Sequence, residues 1–242
     1  MPRFFSLRKR VLILSKTGGI ILSELILNTF AITARCKETG MLGVAISTAR
    51  PGVGGLTVYV KAGVGAIASK AAVNPYLGID GLTYLEQGLS VEEVMDKVRS
   101  EDPEDEKRQF AIVDHNGNAA AYTGSDTVPW AGHYVGDQFV VSGNMLVGKE
   151  TIDAMKETFE ATAGDYFPER LLAALAAGQE AGGDKRGKQS AALYVAHKHE
   201  YPLVDLRVDE HQDPVTELQR VYDVWKKELL PYVESLPVYE GR

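Results

Sequence analysis

From Thr29 onward, apolar and polar residues alternate. TFAITARC carries β-branched and aromatic residues in alternating positions, Lys37-Glu38-Thr39-Gly40 is a turn signal, and MLGVAIST resumes the pattern, so residues 29–48 are predicted as a hairpin. The stretch RPGVGGLTVYVKAGVGAIASKAA is glycine-rich and β-like, and its small residues allow close backbone approach. Asn74-Pro75-Tyr76-Leu77-Gly78 is expected as a turn or loop. Residues 82–99 show helical spacing, with Ser90 as the cap of a second helix and Glu93 in the capping-box position. QFAIVDHNGNAAAYTG is a hairpin around Asn116-Gly117, a pair that tolerates the positive φ of a type I′ turn.

DQFVVSGNML adds a strand. Two helices follow near 149–162 and 166–180, with Pro168 in the first turn of the second. SAALYVAHKHE and LVDLRVDE read as strands, and a last helix runs from Asp213-Pro214 toward Leu230, stopped by Pro231. Antiparallel strands with grouped helices indicate an α+β class rather than a strictly alternating parallel fold. No low-complexity linker divides residues 29–242, which are expected to form one domain.

Residues 1–28 do not continue that pattern. They open with PRFFSLRKR and the short run VLIL, which looks like the start of a signal peptide, but Lys16 and Gly18-Gly19 interrupt it and no A-x-A-like cleavage site follows. Lys16 and Glu24 also exclude a membrane span, which needs about 20 apolar residues. Three readings stay open: an extension removed before function, a start-site artefact, or an amphipathic surface segment.

Charge and cysteine content narrow the class. The segment 1–28 has a net +4, which leaves −11 on the rest of a 242-residue chain whose total is −7. With a pI near 5.3, no nucleic-acid partner is expected. Cys36 is the one cysteine, so no internal disulfide can form; a reducing, cytoplasmic compartment fits, and Cys36 is expected in the core.

Candidate chemistry is sparse. Gly63-x-Gly65-x-x-Ala68 matches a loose dinucleotide fingerprint, but AIASKAAVNP is a poor helix, so glycines packed in a sheet explain it better. Neither G-x-x-x-x-G-K-[ST] nor G-x-S-x-G occurs. His197 and His199 lie two apart on an expected strand and share a face, but no third metal ligand follows by spacing, and His115 and His133 read as turn residues. No metal or cofactor is expected. GGDKRGKQS, with Lys185 and Arg186, either binds an anion or forms a solvated turn, and Asp205, Asp209 and Glu210 are possible partners for its cations. A threonine at a free chain start is a complete catalytic unit, since its α-amine can serve its own hydroxyl as base, but Thr29 is preceded by Asn28.

Seven phrases in register resemble the domain-of-unknown-function 1028 family. TFAITARC, GMLGVAIST, KAGVGAIASKAAVNPYLGIDGLTYLEQGLSVEEV, VDHNGNAAAYTG, WAGHYVGDQFVVSGNMLVG, AAGQEAGGDKRGKQSAALYV and DLRVDEHQDPVTELQRVY carry the likeness from Thr29 to about Tyr222. The resemblance implies a fold like that of the N-terminal-nucleophile hydrolases, a four-layer αββα sandwich. It implies Thr29 as nucleophile, Asn144 with backbone N–H groups as oxyanion donors, and hydrolysis of a small amide or peptide-like bond. Two departures stand out. Asn28 rather than an initiator methionine precedes Thr29, and Ile46-Ser47-Thr48-Ala49-Arg50 lacks the lysine of a Gln-Ser-Lys phrase found in many members, for which Arg50 or Lys61 would have to substitute. Lys185 and Arg186 are then expected to bind an acidic group on the substrate, with Asn74 and Tyr76 forming another wall. The rival expectation is a non-catalytic ligand-binding or scaffold protein of the same fold. No membrane partner is expected, and a homodimer is.

Overall fold

The computed structural model describes the backbone of Ile26–Leu27 and residues 29–237; the readings of residues 1–25 lie outside the described part. The elements are β1 (Ile26–Leu27), β2 (Thr29–Arg35), β3 (Leu42–Thr48), α1 (Gly54–Thr57), β4 (Val58–Lys61), β5 (Gly65–Ala72), α2 (Pro75–Glu86), α3 (Val91–Glu101), β6 (Arg108–Asp114), β7 (Ala119–Thr123), β8 (Gly132–Gly136), β9 (Phe139–Gly143), α4 (Glu150–Ala161), α5 (Phe167–Glu180), β10 (Ser190–Ala196), β11 (Val204–Val208), α6 (Pro214–Glu228) and α7 (Leu230–Glu234). All strand pairs among the described residues are antiparallel. They form a six-stranded sheet in the order β11-β10-β3-β2-β9-β8 and a five-stranded sheet in the order β1-β5-β6-β7, with β4 also on β5. The mixed α+β class is as the sequence indicated.

Period-two alternation gives each central strand two buried faces. In β2, Phe30, Ile32 and Ala34 join a core with Leu171, Leu175, Leu218 and Tyr222 of the helices α5 and α6. Ala31 points the other way and packs with Val44 and Ile46 of β3 and with Ala66 and Ala68 of β5. On β5 and β6, Ile67, Phe110 and Ile112 pack with Leu77, Val91, Val94 and Val98 of α2 and α3. The two sheets therefore meet through small and branched residues, while their other faces carry helices.

Several local expectations are corrected by the structure. Asn74-Pro75-Tyr76 is a helix start: Asn74 Oδ1 accepts from Tyr76 N at 3.1 Å, and Pro75 fits the first turn because no N–H is needed there. Likewise Pro231 ends α6 but opens α7. β10 stops at Ala196, so His197 and His199 follow the strand rather than share its face, and His133 lies in β8 rather than in a turn. The Ser90 capping box forms as expected, and so does the β6–β7 hairpin, but of its expected turn pair only Gly117 has positive φ (94°), so the turn is not the type I′ turn expected at Asn116-Gly117. Gly63 has φ 69° in the turn between β4 and β5, and Gly65 lies in β5 against Leu85, so the fingerprint-like glycines serve the sheet.

Candidate functional site

Thr29 opens β2 and pairs in register with Thr48 at the end of β3. Alternation puts both on the face of Ala31, between the sheets, and both are fully buried. Facing them, β5 places Lys70 in phase with Ala66 and Ala68, and β6 places Gln109 in phase with Ala111 and Val113. β9 contributes Ser142, after which comes Asn144. One end of the layer between the sheets thus gathers Thr29, Thr48, Lys70, Gln109, Ser142 and Asn144, each buried.

These groups are tied across the two sheets. Lys70 Nζ contacts Ser142 Oγ at 2.5 Å. The two N–H groups of Gln109 Nε2 are shared among Gly143 O (2.8 Å), Thr123 Oγ1 (2.9 Å) and Gly132 O (3.1 Å), and Gln109 Oε1 accepts from Asn144 Nδ2 at 3.0 Å. Asn144 N donates to Thr29 O at 3.0 Å, which fixes the start of β2 against the end of β9. Thr123 Oγ1 lies 2.8 Å from His133 Nδ1, so the network reaches the imidazole of His133 on β8.

Burial depresses Lys70 from its ordinary 10.5 to about 7, because no carboxylate among the described residues offsets the cost of an ammonium in this layer. Near neutral pH a large share of it is an uncharged amine that can accept a proton. His133 is pushed down too, by burial first and then by the charge of Lys70. Two further features set this end apart. Asn144 Oδ1 is buried and finds no hydrogen-bond donor among the described residues. Ala71 (φ 68°) and Met145 (φ 52°), the neighbours of Lys70 and Asn144, both sit in the left-handed region, at about 1–3 kcal/mol each. Strain and unmet polarity at one buried place are characteristic of functional sites.

Among the residues expected from sequence, Thr29 and Asn144 are brought together, and Lys185 is close by: its N donates to Met145 O (3.0 Å) and its Nζ to Pro129 O (2.8 Å). Arg186 is paired with the buried Asp184 by Nε (3.0 Å) and Nη2 (2.6 Å), and Asp184 also accepts from Ala49 N, so this loop is fastened to the end of β3. Its acidic partners are Asp184 and Asp213, which takes Lys188 at 2.6 Å, rather than Asp205, Asp209 or Glu210. Asn74 caps α2 and donates to Asp102 at 2.8 Å, while Tyr76 is exposed in the shallow hollow between α2 and α3. Sequence reasoning missed Lys70, Gln109 and Ser142. Each stands in phase with small apolar residues on its strand, a signal readable once the inner face is assigned.

Among the described residues, no three His, Cys, Asp or Glu side chains converge as a metal site, and no helix is long and apolar enough to cross a membrane. Residues 29–218 match a family of unknown function, DUF1028. A crystallised protein of the same family from Silicibacter pomeroyi is 35% identical, with a TM-score of 0.80 over 87% of this chain and 95% of that one. Anbu (ancestral beta-subunit) from Yersinia bercovieri is 11% identical with a TM-score of 0.35, over 87% of this chain and 99% of its own, too low to carry an argument. No curated protein matches.

Proposed function

The chain belongs to the DUF1028 family, and from that premise we propose that it is an amidohydrolase of the N-terminal-nucleophile kind, a four-layer αββα sandwich working from a processed Thr29. Residues 29–242 form the working domain and residues 1–28 an extension ahead of it, in a cytoplasmic protein. The carrying observation is the buried Lys70, lowered to about 7 and held on Ser142 in the strand beside Thr29.

In this reading, hydrolysis of the Asn28–Thr29 bond frees the Thr29 α-amine. Thr29 Oγ1 attacks the substrate carbonyl while the amine takes its proton, and the collapsing tetrahedral intermediate expels the leaving amine with that proton. Water then cleaves the resulting ester and returns the hydroxyl. Asn144 Nδ2 spends one N–H on Gln109 and has a second for the developing oxyanion, helped by backbone N–H groups. Lys70 acts as a positioning residue through Ser142 and fills the place of the lysine missing near residue 49. Lys185 is the nearer loop cation for an acidic group on a small substrate, since Arg186 would first have to leave Asp184. Asn74 and Tyr76 remain candidates for the outer wall.

The test is the intact mass and N-terminal sequence of protein purified from its native host, followed by assay against a panel of small amides. A chain starting at Thr29, with turnover that falls at least about 10³-fold in Thr29→Ala, is the expected result. A chain starting ahead of Asn28 leaves the mechanism without its base. The rival, a non-catalytic binding or scaffold protein, would then lead. It is supported by the full burial of Thr29 and by the pairing of Ile26–Leu27 with Ala71–Ala72 immediately before it.

A further inference from the structure

The six-stranded sheet ends at β11, and α6 packs beside that edge. Between them runs a groove of about 540 Å³, lined by Leu206, Arg220, Val224, Trp225 and Glu228 among others. Val224 on α6 and Leu229 just after its end are each nearly half exposed, while the other outer residues of the helix are mostly polar or charged. An end strand also presents unpaired backbone N–H and C=O groups, which proteins normally cover or blunt.

Exposed charges on α6 and on β11 flank Val224 and Leu206 symmetrically in sequence. Arg220 stands four residues before Val224 and Glu228 four after it; Asp205 stands one before Leu206 and Arg207 one after. A two-fold axis reverses chain direction, so it sets position i of one copy against the mirrored position of the other. Centred on Val224, the axis brings Arg220 against the partner's Glu228. Centred on Leu206, it brings Asp205 against the partner's Arg207. Asp205, Arg207, Arg220 and Glu228 are all exposed, and Leu206 and Val224 line the same groove, so a single axis can serve both centres.

We propose that the β11 edge and the outer face of α6 form a two-fold interface with a second copy of this chain. The six-stranded sheet continues across β11 into the partner, and the two α6 helices lie antiparallel on the same side of it. Opposite charges directly across an antiparallel strand pair favour that register, and like charges oppose a slipped one. Within one chain Arg220 is held by Glu217 at 2.6 Å, an exposed and solvent-screened pair, so the guanidinium can be shared with the partner's Glu228. The proposal is independent of the chemistry at Thr29.

The test is sedimentation equilibrium of the full chain over a concentration series. Wild type is expected at twice the single-chain mass of 26.4 kDa. Arg220→Glu and Glu228→Arg should each raise the dissociation constant by about tenfold or more, and the double reversal should restore it. Both positions are exposed, so circular dichroism of the single reversals should match wild type. A single-chain mass at every concentration would overturn the proposal and leave the groove to a different protein. Dimers indifferent to the single reversals, or not restored by the double one, would overturn it as well by placing the contact elsewhere.

Discussion

The layer between the two sheets has two ends, built on the same strands and equally closed to solvent. At one end Ala31, Val44, Ile46, Ala66, Ala68, Ala111, Val113 and Val140 meet through apolar contact; at the other, the same alternation delivers Thr29, Thr48, Lys70, Gln109, Ser142 and Asn144. Thr33, whose buried hydroxyl lacks a partner among the described residues, is the exception on the apolar side. The first end lowers free energy by removing apolar surface from water, at about 25 cal/mol per Å². The second must recover the desolvation of each polar group through hydrogen bonds, and it does so incompletely: Gln109 is saturated, Asn144 Oδ1 is not, and Lys70 gives up much of its charge. One interior therefore contains a stretch suited to holding the sheets together and a stretch that costs stability. The second needs a reason other than stability, which is why the proposed chemistry is placed there.

The largest effect that would sharpen this contrast is at Lys70. Its folded value of about 7 lies below the unfolded 10.5, so between those values the unfolded chain holds the extra proton. Stability should rise with pH across that window, and the cost is fully present below pH 7. Lys70→Met, of similar length and without charge, is expected to raise stability at pH 7 by about 4 kcal/mol in urea unfolding. The difference between variant and wild type should shrink by about 3 kcal/mol on going from pH 7 to pH 10. A destabilised variant would break the contrast, because the polar end would then be structural.

A somewhat smaller effect of opposite sign is expected at the apolar end. Ile46 is fully buried, and Ile46→Ala should cost about 3 kcal/mol through lost transfer energy and the cavity left behind. If both variants moved stability in the same direction, the two ends would not differ in kind. The smallest effect belongs to Ser142→Ala, expected to cost about 1–3 kcal/mol because Lys70 loses its partner in a dry layer. Combined with Lys70→Met, that cost should largely vanish; a persistent cost in the double variant would mean that the hydroxyl has another role.

Much of this arrangement was readable along the chain. TFAITARC and MLGVAIST dictated two strands joined at Lys37–Gly40, Asn116-Gly117 marked its hairpin, and Ser90 with Glu93 marked the start of α3. These are local patterns, fixed by pleat, turn sterics and capping within a few residues. Thr29 and Asn144 were legible as candidates only through family resemblance, and their adjacency through Asn144 N and Thr29 O comes from strand pairing over more than a hundred residues. Lys70 and Gln109 looked like ordinary polar residues in mixed segments. Nothing local tells whether a strand's polar phase faces water or another sheet.

The loop GGDKRGKQS gives the same lesson from the surface. Its cations looked available to a ligand, but Asp184 turns inward, holds Arg186 and joins the end of β3, a partnership set by where the chain folds back. By itself, then, the sequence determined the α+β class, most of the strands and helices, and the family, because periodicity and turn chemistry act over short spans. Tertiary structure alone decided which polar residues share the dry layer between the sheets. A side chain's protonation and partners depend on what desolvates it, and here that is a second sheet brought in from elsewhere in the chain.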